Sequence, residues 1–205
     1  VSNIKLVVTL SHDDFPDNPA ECDGWKVYSF STRHVNFRHP DTLDEDELGP
    51  KLKSGLAFWL AYFEHGNCVW SISGEGPQCR WDSVQRAGIL IWEDDESNIG
   101  AKSYEDRSED ARRFLSRYTA WCNGEVYGYT VKAFRTCECC GQDKELDESE
   151  AGIDMPSVGG YYGDDIDGLV IDLQDNIGTD YEVQFTDDVG GWLADEARSH
   201  WKVTA

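Results

Sequence analysis

The chain has 205 residues, with 40 acidic and 18 basic side chains and a formal charge of −22. That length fits one domain with a sizeable core, and 8 Trp, 9 Tyr and 8 Phe are more aromatic residues than a disordered acidic chain carries. The charge disfavours direct binding to nucleic-acid phosphates or to anionic membranes, and no apolar run approaches the ~20 residues that span a bilayer.

Residues 4–10 are rich in Ile, Val and Leu and read as a buried strand. The opening ten residues lack the long apolar stretch and cleavage site of a signal peptide, so export is not expected. The seven cysteines, an odd number, are then expected as reduced thiols in the cytoplasm. Residues 12–23 form a loop of Asp, Asn and Pro. The alternation over residues 25–31 predicts a second strand, antiparallel to the first. Residues 41–50 read as an acidic loop. Leu52, Leu56, Trp59, Leu60 and Phe63 then fall at helical spacing and predict a helix stopped near Gly66.

Residues 68–73 and 86–93 read as strands on either side of a Gly/Pro loop. A long helix is predicted from Ser108, as N-cap, to Cys122, with Ala111, Phe114, Leu115, Tyr118 and Cys122 in one apolar stripe. Asn123-Gly124 turns the chain into a strand over residues 125–134, and residues 136–157 make a polar, acidic, exposed excursion. A helix over residues 164–176, a strand over 181–185 and a terminal helix over 188–201 complete the chain. Without a regular βαβ alternation, the order predicts one α+β domain over residues 1–205, a mixed or mainly antiparallel sheet packed with three or four helices.

The charge is lopsided. Residues 1–137 carry 22 acidic and 15 basic side chains, whereas residues 138–205 carry 18 acidic and 3 basic ones. Asp164, Asp165, Asp167, Asp172, Asp175, Asp187 and Asp188 are the candidate partner-binding residues of that last third. A field of this sign attracts a basic protein surface.

Cys137, Cys139 and Cys140, followed by Gly141, have the form of half a zinc knuckle, in which glycine lets backbone amides turn toward thiolates. Zinc is the metal this cluster would take. The other reading is an exposed, reduced thiol group, because no second Cys-x-x-Cys exists and nothing places His34 and His39 nearby. Cys22, Cys68, Cys79 and Cys122 stand in apolar or aromatic surroundings and read as small buried hydrophobes. Gly163-Asp164-Asp165 has the form of a metal-binding turn, or simply of an acidic helix start. Trp81-Asp82-Ser83 offers a serine beside an acid, or a tight turn with Trp81 packed beneath it. Phosphate-loop, nucleophile-elbow, zinc-protease and dinucleotide motifs are missing from the sequence, so no catalytic residue and no organic cofactor is assigned.

Four patches resemble a family of small uncharacterised proteins of tailed bacteriophages. They are Asp17-Asn18-Pro19 with Asp23, the stretch from Cys79 through Trp81-Asp82-Ser83 to Gly88, Asn123-Gly124-Glu125-Val126-Tyr127-Gly128-Tyr129, and Ser157-Val158-Gly159-Gly160-Tyr161-Tyr162-Gly163. The chain departs from that pattern at Arg80, Val84 and Val158, where the family pattern has Pro, Gly and Cys. The resemblance implies phage origin and an accessory role in the host cytoplasm, and it implies no reaction. Together with the charge, it leads to the expectation of non-catalytic binding to the basic surface of a host protein. One form of that role is an acidic DNA mimic inhibiting a nucleic-acid-handling or defence protein. A small metal-dependent hydrolase acting on nucleotides is the alternative.

Overall fold

The computed structural model describes residues 4–31, 34, 38–43, 45–163 and 165–201. In chain order the first half holds β1 (Ile4–His12), α1 (Pro19–Cys22), β2 (Trp25–Ser29), α2 (Glu45–Ser54), β3 (Ala57–His65), β4 (Asn67–Ile72) and β5 (Ser83–Trp92). The second half holds α3 (Tyr104–Cys122), β6 (Val126–Thr136), β7 (Asp143–Leu146), α4 (Glu148–Ala151), β8 (Ser157–Tyr162), α5 (Ile166–Ile177), β9 (Glu182–Asp187) and α6 (Trp192–His200). The fold is α+β, as its element order predicts. Its strands form two sheets, one antiparallel and one mixed. Contacts divide the chain into two compact units, where the sequence reads as one domain. The terminal unit is Val1–Pro16 with Glu125–Ala205, and the central unit is Asp17–Gly124. Among the described residues, no helix is long and apolar enough to cross a membrane.

The terminal unit is built on β6. One edge of this eleven-residue strand pairs with all of β1, from Ile4↔Arg135 to His12↔Tyr127. Its other edge is shared, with β8 on the first half and β7 on the second. β9 then adds parallel to β1. Leu6, Val8 and Leu10 alternate along β1 and enter one core with Tyr129, Val131 and Ala133 of β6. Leu169, Val170 and Leu173 of α5, and Leu193 and Ala197 of α6, close that core from one side. The helical spacing of α5 and its stop at Gly178 match the sequence reading. Residues 136–157, read as an exposed excursion, hold β7 and α4. They are tied to the sheet by the β6–β7 ladder and by buried Leu146.

The central unit carries an antiparallel sheet in the order β2-β5-β3-β4. β2 pairs with β5, not with β1 as the sequence reading has it. α3 covers one face with Ala111, Phe114, Leu115 and Tyr118, packed on Trp25, Phe58, Leu60 and Trp70. Leu48 and Leu52 of α2 lie against the other face, on Tyr28, Ala57, Ile89 and Ile91.

Burial on both faces explains the main misreading. The predicted helix over residues 52–63 is the end of α2 followed by β3. A strand covered on both sides is apolar without alternation, so its periodicity can pass for a helix. Gly55, at φ +77°, is the punctuation between them, ending α2 where the Leu56 N–H bonds the Lys51 carbonyl at 2.8 Å. The long helix also starts earlier than read. Ser103 is the N-cap, in a reciprocal capping box with Asp106, and Ser108 is buried inside α3.

Candidate functional sites

The β6–β7 hairpin ends in a tight tip. Beyond the Thr136↔Asp143 pair, the Cys137 N–H bonds the Gln142 carbonyl at 2.8 Å and the Gly141 N–H bonds the Cys137 carbonyl at 2.8 Å. Gly141 makes the turn at φ +70°, a conformation costly for any residue with a Cβ. The tip gathers Cys137, Cys139 and Cys140 with their sulfurs all within 4.8 Å of one another, and the Cys137 and Cys139 sulfurs are 2.9 Å apart. Hydrogen bonding from the Cys139 thiol, and then from the backbone amides of Cys139 and Cys140, pulls the Cys137 thiol down to about 7. The same contact pushes the Cys139 thiol up. One thiolate near neutral pH beside two thiols is a donor set that can hold a metal ion. Among the described residues, no fourth His, Cys, Asp or Glu joins this group. His34 instead sits with Nδ1 2.5 Å from Ser29 Oγ, and His39 faces Asp41.

The seven aspartates picked from the sequence have different fates. Asp164 lies outside the described residues. Asp165 caps α5 through the Gly168 N–H, at the turn between β8 and α5. Asp172 accepts hydrogen bonds from the Tyr129 and Tyr161 hydroxyls, both at 2.6 Å, and from the Asn176 amide at 3.1 Å. These bonds, the Tyr129 one first, hold its carboxyl below the usual range, and both tyrosines are pushed up by burial and by the carboxylate. Asp187 accepts from the N–H groups of Val189, Gly191 and Ala194, fixing the start of α6. Burial pushes its carboxyl up, but those amides outweigh it and the net shift is downward. Asp167, Asp175 and Asp188 are exposed, and Asp167 lies 2.5 Å from His200 Nδ1.

The terminal unit as a whole carries 21 acidic and 6 basic residues. Lys132, Lys144 and Arg198 are bound to Glu145, Glu150 and Asp195 of the same unit. The arginines of α3 act within the central unit, Arg112 on Glu75, Arg113 on Asp110 and Arg117 on Asp23.

Trp81-Asp82-Ser83 folds as a tight turn. The Ser83 hydroxyl donates to the Pro77 carbonyl at 2.8 Å and accepts from the Cys79 N–H at 2.9 Å. Asp82 accepts from the Cys79 thiol at 3.2 Å and faces His65 at 3.3 Å. Trp81 does not pack beneath the turn. It is 82% exposed and stands at a cavity of about 300 Å³ in the central unit. Phe30, Tyr62, Glu64, Asp82 and Arg86 also line this cavity. The sequence reading missed it, because its lining comes from separate strands and the loop before β5. Cys22 is exposed rather than buried, because it ends the four-residue α1. Cys68 and Cys122 pack against the α3 core, where hydrogen bonding to Cys68 and burial push the Cys122 thiol up.

The patches that carry the phage-family resemblance have clear structural roles. Asn18 caps α1 ahead of Pro19. The two glycine- and tyrosine-rich patches pair as β6 and β8, with a register shift between Tyr127 and Tyr129. A side chain at Gly128 would meet the Val158 carbonyl at 2.5 Å, so the close approach of these strands needs glycine. No protein-family model, curated protein or solved structure matches the chain.

The Asp172 contacts generate a stability prediction. Asp172→Ala leaves two tyrosine hydroxyls without their acceptor and should cost about 2 kcal/mol at pH 7 in urea unfolding. A carboxyl held low in the fold stabilises above its unfolded pKa of about 3.9 and loses that contribution as pH falls below it. The gap between parent and variant should therefore narrow on acidification below pH ~4. A gap independent of pH would contradict the role given to the charge.

Proposed function

We propose that the protein is a phage accessory factor that acts by non-catalytic binding, its acidic terminal unit docking on the basic surface of a host protein. The observation that carries this reading is the concentration of 21 acidic against 6 basic residues in that unit, with Asp167, Asp175 and Asp188 exposed. Duplex DNA presents about one negative charge per 1.7 Å of its axis. An acidic surface of this kind competes for the clefts that bind DNA, so a nucleic-acid-handling or defence protein is the partner class. Association driven by such a field is fast and weakens with salt.

Affinity purification from host cells at low salt tests this. The expected catch is a basic nucleic-acid-binding protein that duplex DNA displaces and that moderate salt releases. The Asp167→Asn, Asp175→Asn, Asp188→Asn triple variant should retain less of it. A partner held equally by the variant, and indifferent to DNA and salt, would contradict the reading.

We also propose zinc as the ion for Cys137, Cys139 and Cys140. Three thiolates suit it, with water or a partner's side chain in the fourth position. Protein purified under reducing conditions should carry about one zinc, and cobalt in its place should give a thiolate charge-transfer band. Both should vanish in Cys137→Ser, and affinity should fall as pH drops below ~7, where protons compete for the thiolates. Absence of both zinc and the cobalt band would contradict the assignment.

A further inference from the structure

The β3–β5 ladder changes register beside the cavity. It runs from Ala57↔Ile91 to Leu60↔Gly88, and resumes shifted from Tyr62↔Val84 to Phe63↔Ser83. Gln85, Arg86 and Ala87 are left opposite Ala61 alone, and Arg86 takes φ +54°. It is the one non-glycine residue with positive φ among the described residues. Bulges re-aim side chains beside binding sites, and an arginine in this conformation carries strain that glycine would relieve.

The ion pairing of Arg86 is equally unusual for this molecule. In the central unit Arg38, Arg107, Arg112, Arg113 and Arg117 each reach a carboxylate. Among the described arginines of that unit, Arg80 and Arg86 do not. Each instead lies over an indole, Arg86 at 5.5 Å from the Trp59 ring centre and Arg80 at 5.1 Å from that of Trp81. In a chain with 40 acidic residues, an arginine that lines a cavity without a paired carboxylate is positive charge held open for another anion.

The cavity combines that charge with ring surface and acceptors. Arg86 lines it together with Trp81, 82% exposed, and Phe30, 46% exposed. Glu64 and Asp82 contribute carboxylates. About 300 Å³ is at the lower end of the range for small-ligand sites. Exposed aromatic faces stack flat rings, arginine pairs with phosphate, and carboxylates accept from the amino groups of bases. We propose that this cavity binds a nucleoside monophosphate, its base against Trp81, an amino edge toward Glu64 or Asp82, and its phosphate on Arg86. This goes beyond the docking role and draws on none of the acidic terminal unit.

Titration with AMP, GMP, CMP and UMP, and with the matching nucleosides, followed by tryptophan fluorescence and calorimetry, tests the proposal. Saturable binding is expected, about tenfold or more weaker for the nucleosides because the charged contact is lost. UMP, without an exocyclic amino group, should bind more weakly than CMP. Arg86→Gln and Arg86→Gly should reduce nucleotide affinity to the nucleoside level, and Arg86→Gly folds without strain at that position, so its loss cannot be blamed on unfolding. Trp81→Ala should weaken every ligand and remove the fluorescence change. Four outcomes would overturn the assignment: no saturable binding by any of the nucleotides, nucleosides binding as tightly as nucleotides, UMP binding as tightly as CMP, or affinity surviving both Arg86→Gly and Trp81→Ala.

Discussion

Repulsion among the carboxylates of the terminal unit is the constraint that its architecture has to meet. A net excess of this size works against compaction, because like charges drawn together by folding raise the energy of the folded state. The unit offsets this with a continuous core, in which β1 and β6 pair along nine residues and α5 and α6 cover one side. It also turns some of its charge to structural use. Asp165 and Asp187 are placed where helix N-termini present unpaired amides, and Asp172 holds two tyrosines and an asparagine. The carboxylates left at the surface have few basic neighbours to neutralise them. Asp167 is the exception, since it faces His200 of α6 and stands in the first turn of α5, whereas exposed Asp175 and Asp188 make no comparable contact among the described residues and are read as part of an interaction surface.

The central unit follows a different logic. Its sheet is covered on both faces along β3 and the second half of β5, so residues 57–63 and 87–92 are apolar nearly throughout, and its arginines mostly cross-link elements. Arg117 ties α3 to Asp23 beside α1, and Arg112 ties α3 to Glu75 in the loop after β4. Arg107 reaches the Ser54 carbonyl at the end of α2, and Glu96. Against this background the bulge at Arg86 departs from both rules. It breaks the ladder of a well-packed sheet and leaves a cation without a carboxylate. Departures of this kind collect at sites that recognise ligands, where strain and open charge serve binding rather than folding.

What the sequence made legible follows the same physics. α5 has one buried face, and its period of 3.6 could be read directly; β1 is legible from its Ile, Val and Leu content, although only alternate residues of it are fully buried. β3 has two buried faces, and the period vanished with the second. At the start of α3 two serines compete as caps, and the Ser103–Asp106 capping box, a local signal, decides for Ser103 over Ser108. The thiol cluster was visible because its members are contiguous and the hairpin tip is local. The cavity was not, because Phe30, Glu64 and Arg86 come from separate parts of the chain, joined only by the pairing of β2 and of β3 with β5. Asp172 and Asp187 looked like surface charge in sequence, and only the geometry separates them from Asp167, Asp175 and Asp188.

The central claim is that the exposed carboxylates are maintained against the interest of the fold. Urea unfolding across a series of sodium chloride concentrations measures this directly. Screening relieves like-charge repulsion over a Debye length that shrinks from ~30 Å at 0.01 M to ~8 Å at physiological ionic strength. The parent protein should therefore gain stability with salt, and the variant neutralised at Asp175 and Asp188 should be more stable at low salt and less responsive to it. A parent indifferent to salt, or a neutralised variant less stable than the parent at low salt, would show that these charges serve the fold and would contradict the account.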